Sequence, residues 1–234
     1  MNIKQIFTLL RYRHYKISYS QCGEDRIIDC ALYKLGIKKP NYLDIGTNHP
    51  VKDNNTFLFY SRGGQGICIE PNFELFKIIK QTRGRDVCLN IGVGPSDETD
   101  ADYYMMSSNS LNTFRRDEAD KYAKEQNYGK QAIKKVIQVP LVTINRVMQK
   151  YFPTGVDLLS LDTEGYDLEI IKSLDLQSYR PKIICIETLR YNNDGALEKV
   201  REIAKHLTDH NYFLYGDTFV NSIFIDEKQR NSLN

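Results

Sequence analysis

Leu43-Asp44-Ile45-Gly46-Thr47-Asn48 is an apolar, strand-like run that ends in an acidic residue and a glycine. In an open α/β sheet, ligands bind beyond the carboxyl ends of the strands, where the strand order reverses. A glycine at such a point lets the backbone approach a ligand closely, and a carboxylate such as that of Asp44 suits an ammonium group. A purely structural turn explains the same residues equally well, so the rest of the chain has to distinguish the two.

The residues after Gly46 argue against a nicotinamide cofactor. A dinucleotide pyrophosphate needs the pattern G-x-G-x-x-G, in which the helix N–H groups stay free to bind the phosphates. Here the bulky residues Asn48, His49 and Pro50 follow the single glycine. The loop suits an amino-acid-like zwitterion better than a diphosphate, and a nicotinamide oxidoreductase is the disfavoured alternative.

Strand-like runs alternate with segments of helical length on both sides of this loop, which indicates βαβ units and a mainly parallel sheet. The runs at 212–215 and 219–225 predict a terminal hairpin with its turn at Gly216-Asp217. An antiparallel last strand is typical of methyltransferases. We therefore predict a Rossmann-like α/β methyltransferase fold with helices on both faces of a seven-stranded, mainly parallel sheet. The predicted core strands are 42–45, 66–70, 86–91, 156–161 and 182–186.

The domain organisation expected is a lead-in helix at residues 1–18 and one methyltransferase domain at 19–234. The stretch from Gly92 to Lys135 is more polar and irregular, and we expect residues 107–126 to form part of a lid over an acceptor. Apolar periodicity and capping residues predict the remaining elements. These are helices at 24–35, 55–60, 73–81, 115–126, 144–151, 167–173 and 195–208, and strands at 102–106 and 136–139.

Glu70 ends the second predicted strand, 24 residues after Gly46. An acid at this place can accept hydrogen bonds from both hydroxyls of a ribose. A solvent-exposed glutamate before Pro71 is the simpler explanation. Because Asp44 precedes Glu70 in the expected order, the ribose role is favoured.

Asp162 and Glu164 stand at the end of the fourth core strand. Acids at the end of a buried strand destabilise a fold unless they are paired, bind something or face a site. Capping of the next helix is the alternative, but Asp167 is the better-placed N-cap. Asp162 and Glu164 are thereby left for chemistry, and Glu187 at the end of the fifth strand is a weaker candidate of the same kind.

Six segments, taken in their order and spacing, make the sequence similar to the FkbM-type methyltransferases between about Tyr19 and Glu187. The resemblance implies a Rossmann-like fold, S-adenosylmethionine as methyl donor, and often O-methylation of sugars or of natural-product hydroxyls. The segment Asn90–Gly94 departs from the family pattern, so the resemblance describes the ribose site better than the adenine pocket. The matching segments are 19–25 (YSQCGED), 43–50 (LDIGTNHP), 54–56 (NNT), 66–72 (GICIEPN), 159–165 (LSLDTEG) and 180–187 (RPKIICIE).

The resemblance also assigns roles to individual residues. A hydroxyl is a poor nucleophile while protonated, so a general base, or a metal that acidifies the hydroxyl, is expected. We predict Asp162 or Glu164 as the base, and a divalent ion on Asp162 and Glu187 remains open as the alternative. The expected cofactor-binding residues are Gln21, Glu24, Asp44, Gly46, Asn48, Asn54, Thr56, Glu70, Pro71 and Asn90.

The composition narrows the class of protein further. A formal net charge of +2 gives no sign of nucleic-acid binding. The five cysteines contain no C-x-x-C pair, which argues against a zinc site or a disulfide framework and favours the cytoplasm. No run approaches the roughly 20 apolar residues that cross a bilayer, and the basic segment Met1–Lys16 is expected to be at most peripheral to the inner membrane surface.

Other features leave alternatives open. His206 and His210 have metal-ligand spacing but no third ligand nearby in sequence, so a surface role is favoured. The expected partner is a small-molecule or glycan acceptor, with a homodimer left open. A sugar in a polysaccharide, glycan or nucleotide sugar is the first choice of acceptor, and a natural-product hydroxyl is the second. A non-catalytic carbohydrate-binding protein on the same fold is the alternative from a different class.

Overall fold

The computed structural model describes residues 17–124, 129–191 and 196–233. The predicted lead-in helix therefore lies almost entirely outside the described residues, as do Gln126 and Gly195 at the ends of two other predicted helices. In the described part of the chain, none of the helices has the length and apolar character that crossing a bilayer requires.

The described helices and strands follow the predicted alternation closely. In chain order they are α1 (Glu24–Lys34), β1 (Asn41–Ile45), α2 (Phe57–Ser61), β2 (Gln65–Ile69), α3 (Phe73–Thr82), β3 (Val87–Leu89), β4 (Gly92–Gly94), β5 (Glu98–Met106), α4 (Arg116–Lys124), β6 (Ile133–Thr143), α5 (Ile144–Tyr151), β7 (Leu158–Leu161), α6 (Asp167–Ser173), β8 (Ile183–Glu187), β9 (Leu189–Tyr191), β10 (Leu197–Lys199), α7 (Arg201–Asp209), β11 (Tyr212–Asp217) and β12 (Asn221–Asp226). Short 3₁₀ helices occupy Asn109–Leu111 and Glu227–Leu233.

The main sheet has seven strands in the order β11-β12-β8-β7-β1-β2-β3. Strand β12 pairs antiparallel with both β8 and β11, whereas the other neighbours pair in parallel. The predicted fold class is confirmed, including the antiparallel last strand. Because the chain runs outward from β1 to β3 and then returns to β7, the strand order reverses between β1 and β7, and a crevice opens at their carboxyl ends.

The central strands are buried on both faces, which explains their continuous apolar sequences. Successive side chains of a strand point to opposite faces. Leu159 and Ile184 accordingly join one apolar cluster, while Leu158 and Ile183 join the other. Two layers of helices cover these clusters and hold the strand ends at fixed positions.

The polar stretch between residues 92 and 143 forms a second sheet with the order β4-β6-β5. Its strands β5 and β6 are much longer than the predicted runs at 102–106 and 136–139. Many of their residues are exposed, among them Lys134 and Lys135, so the sequence lacks the apolar pattern of a buried strand. Cross-strand hydrogen bonding, rather than burial, defines this pair.

Two predictions near the carboxyl terminus are wrong. The helix predicted at 195–208 begins only at Arg201, because Leu197–Lys199 instead pair antiparallel with β9. The ammonium of Lys199 holds this strand by donating to Thr188 Oγ1 at 2.9 Å and to Asp217 Oδ2 at 2.9 Å. These tertiary contacts override the helical periodicity of the segment.

The predicted hairpin turn at Gly216-Asp217 is the second error. Both residues belong to β11, where they pair with Ile223 and Ser222 after a bulge in the register. The turn comes later, at Phe219, whose φ of 72° is left-handed. The Asp217 carboxylate stabilises this turn by accepting from the Phe219 N–H at 2.7 Å.

Candidate functional site

Two adjoining cavities lie at the carboxyl ends of the central strands. The first, here called the strand-end cavity, has a volume of about 350 Å³ and is lined by residues that follow β1, β2, β7 and β8. The second, the side cavity, has a volume of about 470 Å³ and lies beside α4, α6 and the β9–β10 hairpin. Residues of the predicted lid contribute to both. The two cavities share Ser110, Leu111, Glu164 and Glu187.

Glu70 lines the strand-end cavity although only 4% of its surface is exposed. Its carboxylate accepts from the backbone N–H of Asn48 and from that of Asn72, each at 2.8 Å. Burial raises the pKa of Glu70 to about 7, against the lowering effect of these two N–H groups. Each carboxylate oxygen has a second lone pair, so Glu70 can still accept hydrogen bonds from a ligand.

Gly46 lines the strand-end cavity, and the neighbouring strand end requires it to be a glycine. Its φ is 79°, and a Cβ at this position would lie 1.7 Å from the carbonyl oxygen of Asp162. The close contact brings the loops after β1 and β7 together, so that Asn48 and Asp162 line the same cavity. Gln21 and Pro71, which the sequence also assigned to cofactor binding, line it as well.

Asp44 lies beneath the cavity instead of lining it. The side chain is almost fully buried, and its Oδ2 accepts from Thr56 Oγ1 at 2.7 Å and from Asn54 Nδ2 at 3.3 Å. The guanidinium of Arg83, itself fully buried, approaches the same oxygen at 3.5 Å. Burial raises the pKa of Asp44, and the positive charge of Arg83 opposes that shift. The geometry therefore gives Asp44 a structural partner and does not place it against a ligand in the cavity.

Three other residues expected to bind the cofactor also lie behind the cavity walls. Asn54 and Thr56 belong to the Arg83 network. Asn90 donates from Nδ2 to the carbonyls of Glu70 at 2.9 Å and Pro71 at 2.8 Å. These residues orient the groups that face the cavity.

Glu24 is fully buried on α1. Its Oε1 accepts from Thr218 Oγ1 at 2.6 Å and from Asn221 Nδ2 at 3.1 Å. The carboxylate thus ties the amino-terminal loop, which includes Gln21, to the terminal hairpin. Hydrogen bonds within the protein, rather than a ligand, account for its burial.

Asp162, Glu164 and Glu187 form a carboxylate cluster where the two cavities meet. One oxygen from each lies within 4.8 Å of the others. Burial, followed by the charge of Asp167, raises the pKa of Asp162 to about 7. Burial and the charge of Asp162 raise the pKa values of Glu164 and Glu187 well above the usual range. Because like charges this close repel one another, the cluster takes up a proton more readily than isolated carboxylates do.

Glu164 is held in a strained conformation. Its φ of 53° lies in the left-handed region, which costs a residue with a side chain about 1–3 kcal/mol. Its carbonyl accepts from Thr113 Oγ1 at 2.8 Å, and its Oε2 accepts from Tyr122 at 3.0 Å. Both donors belong to the polar stretch between residues 92 and 143, here called the inserted segment, which thus aims this carboxylate at the junction of the cavities.

Asp167 has a different role from the helix cap that the sequence predicts. The N-cap of α6 is Tyr166, which makes no capping hydrogen bond. The Asp167 carboxylate instead accepts from the backbone N–H of Thr163 at 3.0 Å and of Gly165 at 3.3 Å. Asp167 is the first residue of α6, so its carboxylate reaches back to the preceding loop. Because Thr163 and Gly165 flank Glu164, these two bonds fix the loop on both sides of Glu164.

The raised pKa of Asp162 leads to a prediction about stability. Its pKa is near 4 in the unfolded chain and about 7 in the folded protein, so its contribution to stability is lost as pH rises from about 4 to about 7. We expect Asp162→Asn to unfold at higher urea concentration than the unmodified protein at pH 8, by about 1–2 kcal/mol after allowance for solvent screening. At pH 4 the difference should vanish, and Asp100→Asn, on the exposed part of β5, should show no such trend.

Three residues of the site carry no recognisable signal in the sequence. Arg83 follows α3 like any surface arginine, yet it is fully buried. Asn112 and Phe114 come from the polar inserted segment, and both line the strand-end cavity. Only the pairing of that segment with β5 shows where they point.

The two histidines with metal-ligand spacing do not form such a site. The rings of His206 and His210 lie 4.3 Å apart between centroids, and the Nδ1 of His210 lies 2.8 Å from the His206 carbonyl. Within the described ranges, the carboxylate cluster is the group of three or more candidate ligands that the structure brings together. Its oxygen donors suit a hard divalent cation, so the sequence-based alternative of an ion on Asp162 and Glu187 stays a prediction.

Known proteins similar to this chain are methyltransferases. The solved structures include an FkbM methyltransferase from Methylobacillus flagellatus, at 11% identity and a TM-score of 0.46, which covers 80% of this chain and 44% of that one. An O-methyltransferase from Bacillus cereus in complex with SAH, at 12% identity and a TM-score of 0.42, covers 95% and 86%. A TehB-like SAM-dependent methyltransferase from Corynebacterium glutamicum, at 12% and 0.42, covers 95% of both chains. The chain thus spans less than half of the FkbM structure.

The family comparison gives a more direct result. No curated protein matches the sequence. The model of the methyltransferase FkbM domain, however, matches residues 44–214, which include the strand ends after β1, β2, β7 and β8. The match covers well over half of the 234 residues, and the chain therefore belongs to the FkbM family of S-adenosylmethionine-dependent methyltransferases.

Proposed function

We propose that this protein transfers a methyl group from S-adenosylmethionine, bound in the strand-end cavity, to a hydroxyl of a sugar bound in the side cavity. The observation that carries the proposal is the junction of the two cavities at Glu164 and Glu187. A donor and an acceptor that occupy the two cavities meet beside carboxylates able to take a proton. We further propose that residues 19–234 act as one domain.

The residues of the strand-end cavity fit this cofactor. Each carboxylate oxygen of Glu70 has a free lone pair, so Glu70 can accept hydrogen bonds from the ribose hydroxyls. The carboxylates of Asp162 and Glu164 provide negative charge for the sulfonium of the donor, a charge that S-adenosylhomocysteine lacks. S-adenosylmethionine supplies, when bound, an electrophilic methyl group on a sulfonium, and S-adenosylhomocysteine remains after the transfer.

Glu164 is the better-placed general base because it lines both cavities, whereas Asp162 lines only the strand-end cavity. A cation bound beside the cluster lowers the pKa values of its carboxyls, so Glu164 becomes ionised when the donor is in place. It then accepts the hydroxyl proton as the acceptor oxygen forms its bond to the methyl carbon and the bond between carbon and sulfur breaks. Tyr122 orients the carboxylate, and the cavity walls hold the two reactants in line.

The charges of the side cavity favour a neutral acceptor. Its two arginines are already paired, Arg115 with Asp117 at 2.5 Å and Arg190 with Glu198 at 3.2 Å. Five carboxyl groups line the same cavity against these two arginines, so the charge balance of the lining does not favour an anionic acceptor. A sugar hydroxyl, with neighbouring hydroxyls to donate hydrogen bonds, fits this lining better than a phosphate or an acidic sugar. The five are Glu118, Glu164, Asp167, Glu169 and Glu187.

The proposal is tested by incubating the protein with methyl-labelled S-adenosylmethionine and a panel of acceptors. The panel holds neutral, amino and acidic sugars, both free and as nucleotide sugars, together with natural-product phenols. We expect label to appear on a neutral or amino sugar as a base-stable methyl ether. Transfer only to natural-product phenols would show that the acceptor is a natural-product hydroxyl and not a sugar. Binding of sugars without any binding of S-adenosylhomocysteine would instead support the non-catalytic alternative.

We predict that Glu70→Gln weakens the binding of S-adenosylhomocysteine by roughly 10- to 100-fold, because hydrogen bonds to a charged acceptor contribute about 1.5–3 kcal/mol. Calorimetry measures the affinity. Since the pKa of Glu70 is about 7 in the free protein, the difference between the two proteins should be larger at pH 8 than at pH 6. The exposed Glu74 on α3 provides the matched control, Glu74→Gln. Unchanged affinity in a folded Glu70→Gln protein would show that the ribose binds elsewhere.

A further inference from the structure

One wall of the strand-end cavity is formed by Tyr103, Asn112 and Phe114, here called the aromatic wall. The rings of Tyr103 and Phe114 pack with their centroids 4.6 Å apart. Phe114 also packs against Gly92, where a Cβ would lie 2.2 Å from the ring. The aromatic wall therefore packs against β4, to which Gly92 belongs.

The backbone of the inserted segment determines which side chains face the cavity. Thr113 forms an antiparallel bridge with Tyr104 of β5, so the chain is extended at this point. Side chains alternate along an extended chain. Thr113 therefore turns toward the Glu164 carbonyl, to which it donates, whereas Asn112 and Phe114 share the opposite direction and both line the cavity.

The side-chain amide of Asn112 is held with its donor end free. Its Oδ1 accepts from the backbone N–H of Met106 at 2.7 Å, which assigns the other end of the amide to Nδ2. Asn112 is only 5% exposed, and no residue in the described part of the chain accepts a hydrogen bond from Nδ2. A buried donor without a partner destabilises the fold and calls for an explanation.

The neighbouring Tyr103 hydroxyl does not supply that partner. Burial raises the pKa of Tyr103, and a contact of its hydroxyl with the Asn112 amide lowers that pKa, so the two side chains lie close together. They nevertheless make no hydrogen bond of normal length and angle. The free N–H group of Asn112 therefore remains available to a molecule in the cavity.

The lining of the cavity is of two chemically different kinds, which indicates what such a molecule presents to Asn112. The carboxyl groups of Asp162, Glu164 and Glu187 attract the cationic part of a ligand. Another part of the lining is apolar and aromatic, and it suits a flat, neutral heterocycle that stacks on rings. The residues of this apolar part are Ile69, Pro71, Val93, Tyr103 and Phe114.

We propose that Asn112 recognises the adenine of the bound cofactor by donating a hydrogen bond from Nδ2 to one of its ring nitrogens. The inference rests on the proposed binding of S-adenosylmethionine in this cavity and extends it to the nucleobase. A ring nitrogen of adenine offers a lone pair in the plane of the base, and an amide N–H that faces the cavity edge-on is the matching donor. Because the Met106 N–H holds the amide before the ligand arrives, little side-chain entropy is lost on binding.

The first arm of the test measures the affinity for S-adenosylhomocysteine by calorimetry at pH 8. Asn112→Asp keeps the oxygen that accepts from the Met106 N–H and replaces the Nδ2 donor by a second oxygen, which is an acceptor. Asn109→Asp places the same charge at the exposed rim of the cavity and measures the purely electrostatic effect. We expect Asn112→Asp to bind at least about 10-fold more weakly than Asn109→Asp. Equal affinities in the two variants would overturn the proposal.

The second arm changes the ligand and leaves the protein intact. Analogues of S-adenosylhomocysteine that carry 1-deaza-, 3-deaza- or 7-deazaadenine each replace one ring nitrogen by C–H. We expect one of the three to bind the unmodified protein about 10-fold more weakly than the parent, and Asn112→Asp to bind that analogue and the parent equally.

Equal binding of all three analogues by the unmodified protein would overturn the proposal even if Asn112→Asp did not fold. Persistence of the discrimination in a folded Asn112→Asp protein would overturn it as well. A different failure, in which the unmodified protein binds no S-adenosylhomocysteine, would contradict the proposed function rather than the role of Asn112.

Discussion

Replacing Glu164 by glutamine is expected to lower the rate of methyl transfer by roughly 10²- to 10⁴-fold, the range for the loss of a general base. Affinity for S-adenosylhomocysteine should stay within a few-fold of the unmodified protein, because the amide fills the same space beside Tyr122. Turnover with the acceptor found in the sugar panel, together with calorimetry of donor binding, measures the two effects separately. Asp162→Asn is expected to have a smaller effect on turnover, since Asp162 lines only the strand-end cavity.

A matched control comes from Glu74, which is exposed on α3 and lines neither cavity. Glu74→Gln should retain full turnover. If Glu164→Gln and Asp162→Asn both kept full activity, the carboxylate cluster would have no part in the chemistry. A loss of turnover that follows a loss of donor binding would instead make these residues cofactor ligands.

The same measurements distinguish a base from a metal ion. With a carboxylate as base, EDTA should change turnover less than about twofold. If a divalent cation bound to Asp162 and Glu187 activates the hydroxyl, chelation should abolish activity and Mg²⁺ or Mn²⁺ should restore it. In that case Asp162→Asn should also raise the metal concentration needed for half-maximal activity, and the assignment of Glu164 as the base would be wrong.

Arg83→Met is expected to lower the free energy of unfolding by about 3–5 kcal/mol, the usual effect of removing one partner from a buried ion pair. Arg83 is fully buried, and its Nε contacts Asp86 Oδ2 at 2.8 Å while its Nη1 approaches Asp44. Without the guanidinium, two buried carboxylates lose their cation, and Thr56 loses the donor at 2.8 Å. Urea unfolding followed by circular dichroism measures the change.

Arg62→Met is the control for this stability prediction. Arg62 forms an ion pair with Asp29 at 2.6 Å, but its side chain is 46% exposed, so we expect a change of at most about 1 kcal/mol. Because Arg83→Met leaves the charge of the buried Asp44 without its cation, and burial raises the pKa of that carboxyl, the loss of stability should be smaller at pH 4 than at pH 8. A small effect at both pH values would show that the network contributes little to folding.

Much of the architecture follows from local patterns in the sequence. The apolar run that ends at Gly46, the acids at the following strand ends and the terminal hairpin predict the sheet, its antiparallel strand and the edge at which ligands bind. These features are predictable because a strand buried on both faces must be apolar over its whole length. The boundaries of α5 and α6 match the predicted ranges for a similar reason, since an amphipathic period is a local property.

The roles of individual side chains depend on contacts between distant parts of the chain. Asp44 and Glu70 look alike in sequence, since each stands at or just beyond the end of a buried strand. Arg83 pairs with the first, whereas two backbone N–H groups hold the second at the cavity surface. Neither arrangement is visible along the chain, because the partners belong to other elements.

The inserted segment is the clearest example of residues whose roles depend on contacts with distant parts of the chain. Residues 107–114 are polar and irregular in sequence, and only pairing with β5 turns Asn112 and Phe114 toward the cavity. Lys199 likewise converts the start of a predicted helix into β10 through bonds to Thr188 and Asp217. Periodicity and composition determine which segments are buried, whereas side-chain hydrogen bonds between those segments determine which polar groups remain free to bind a ligand.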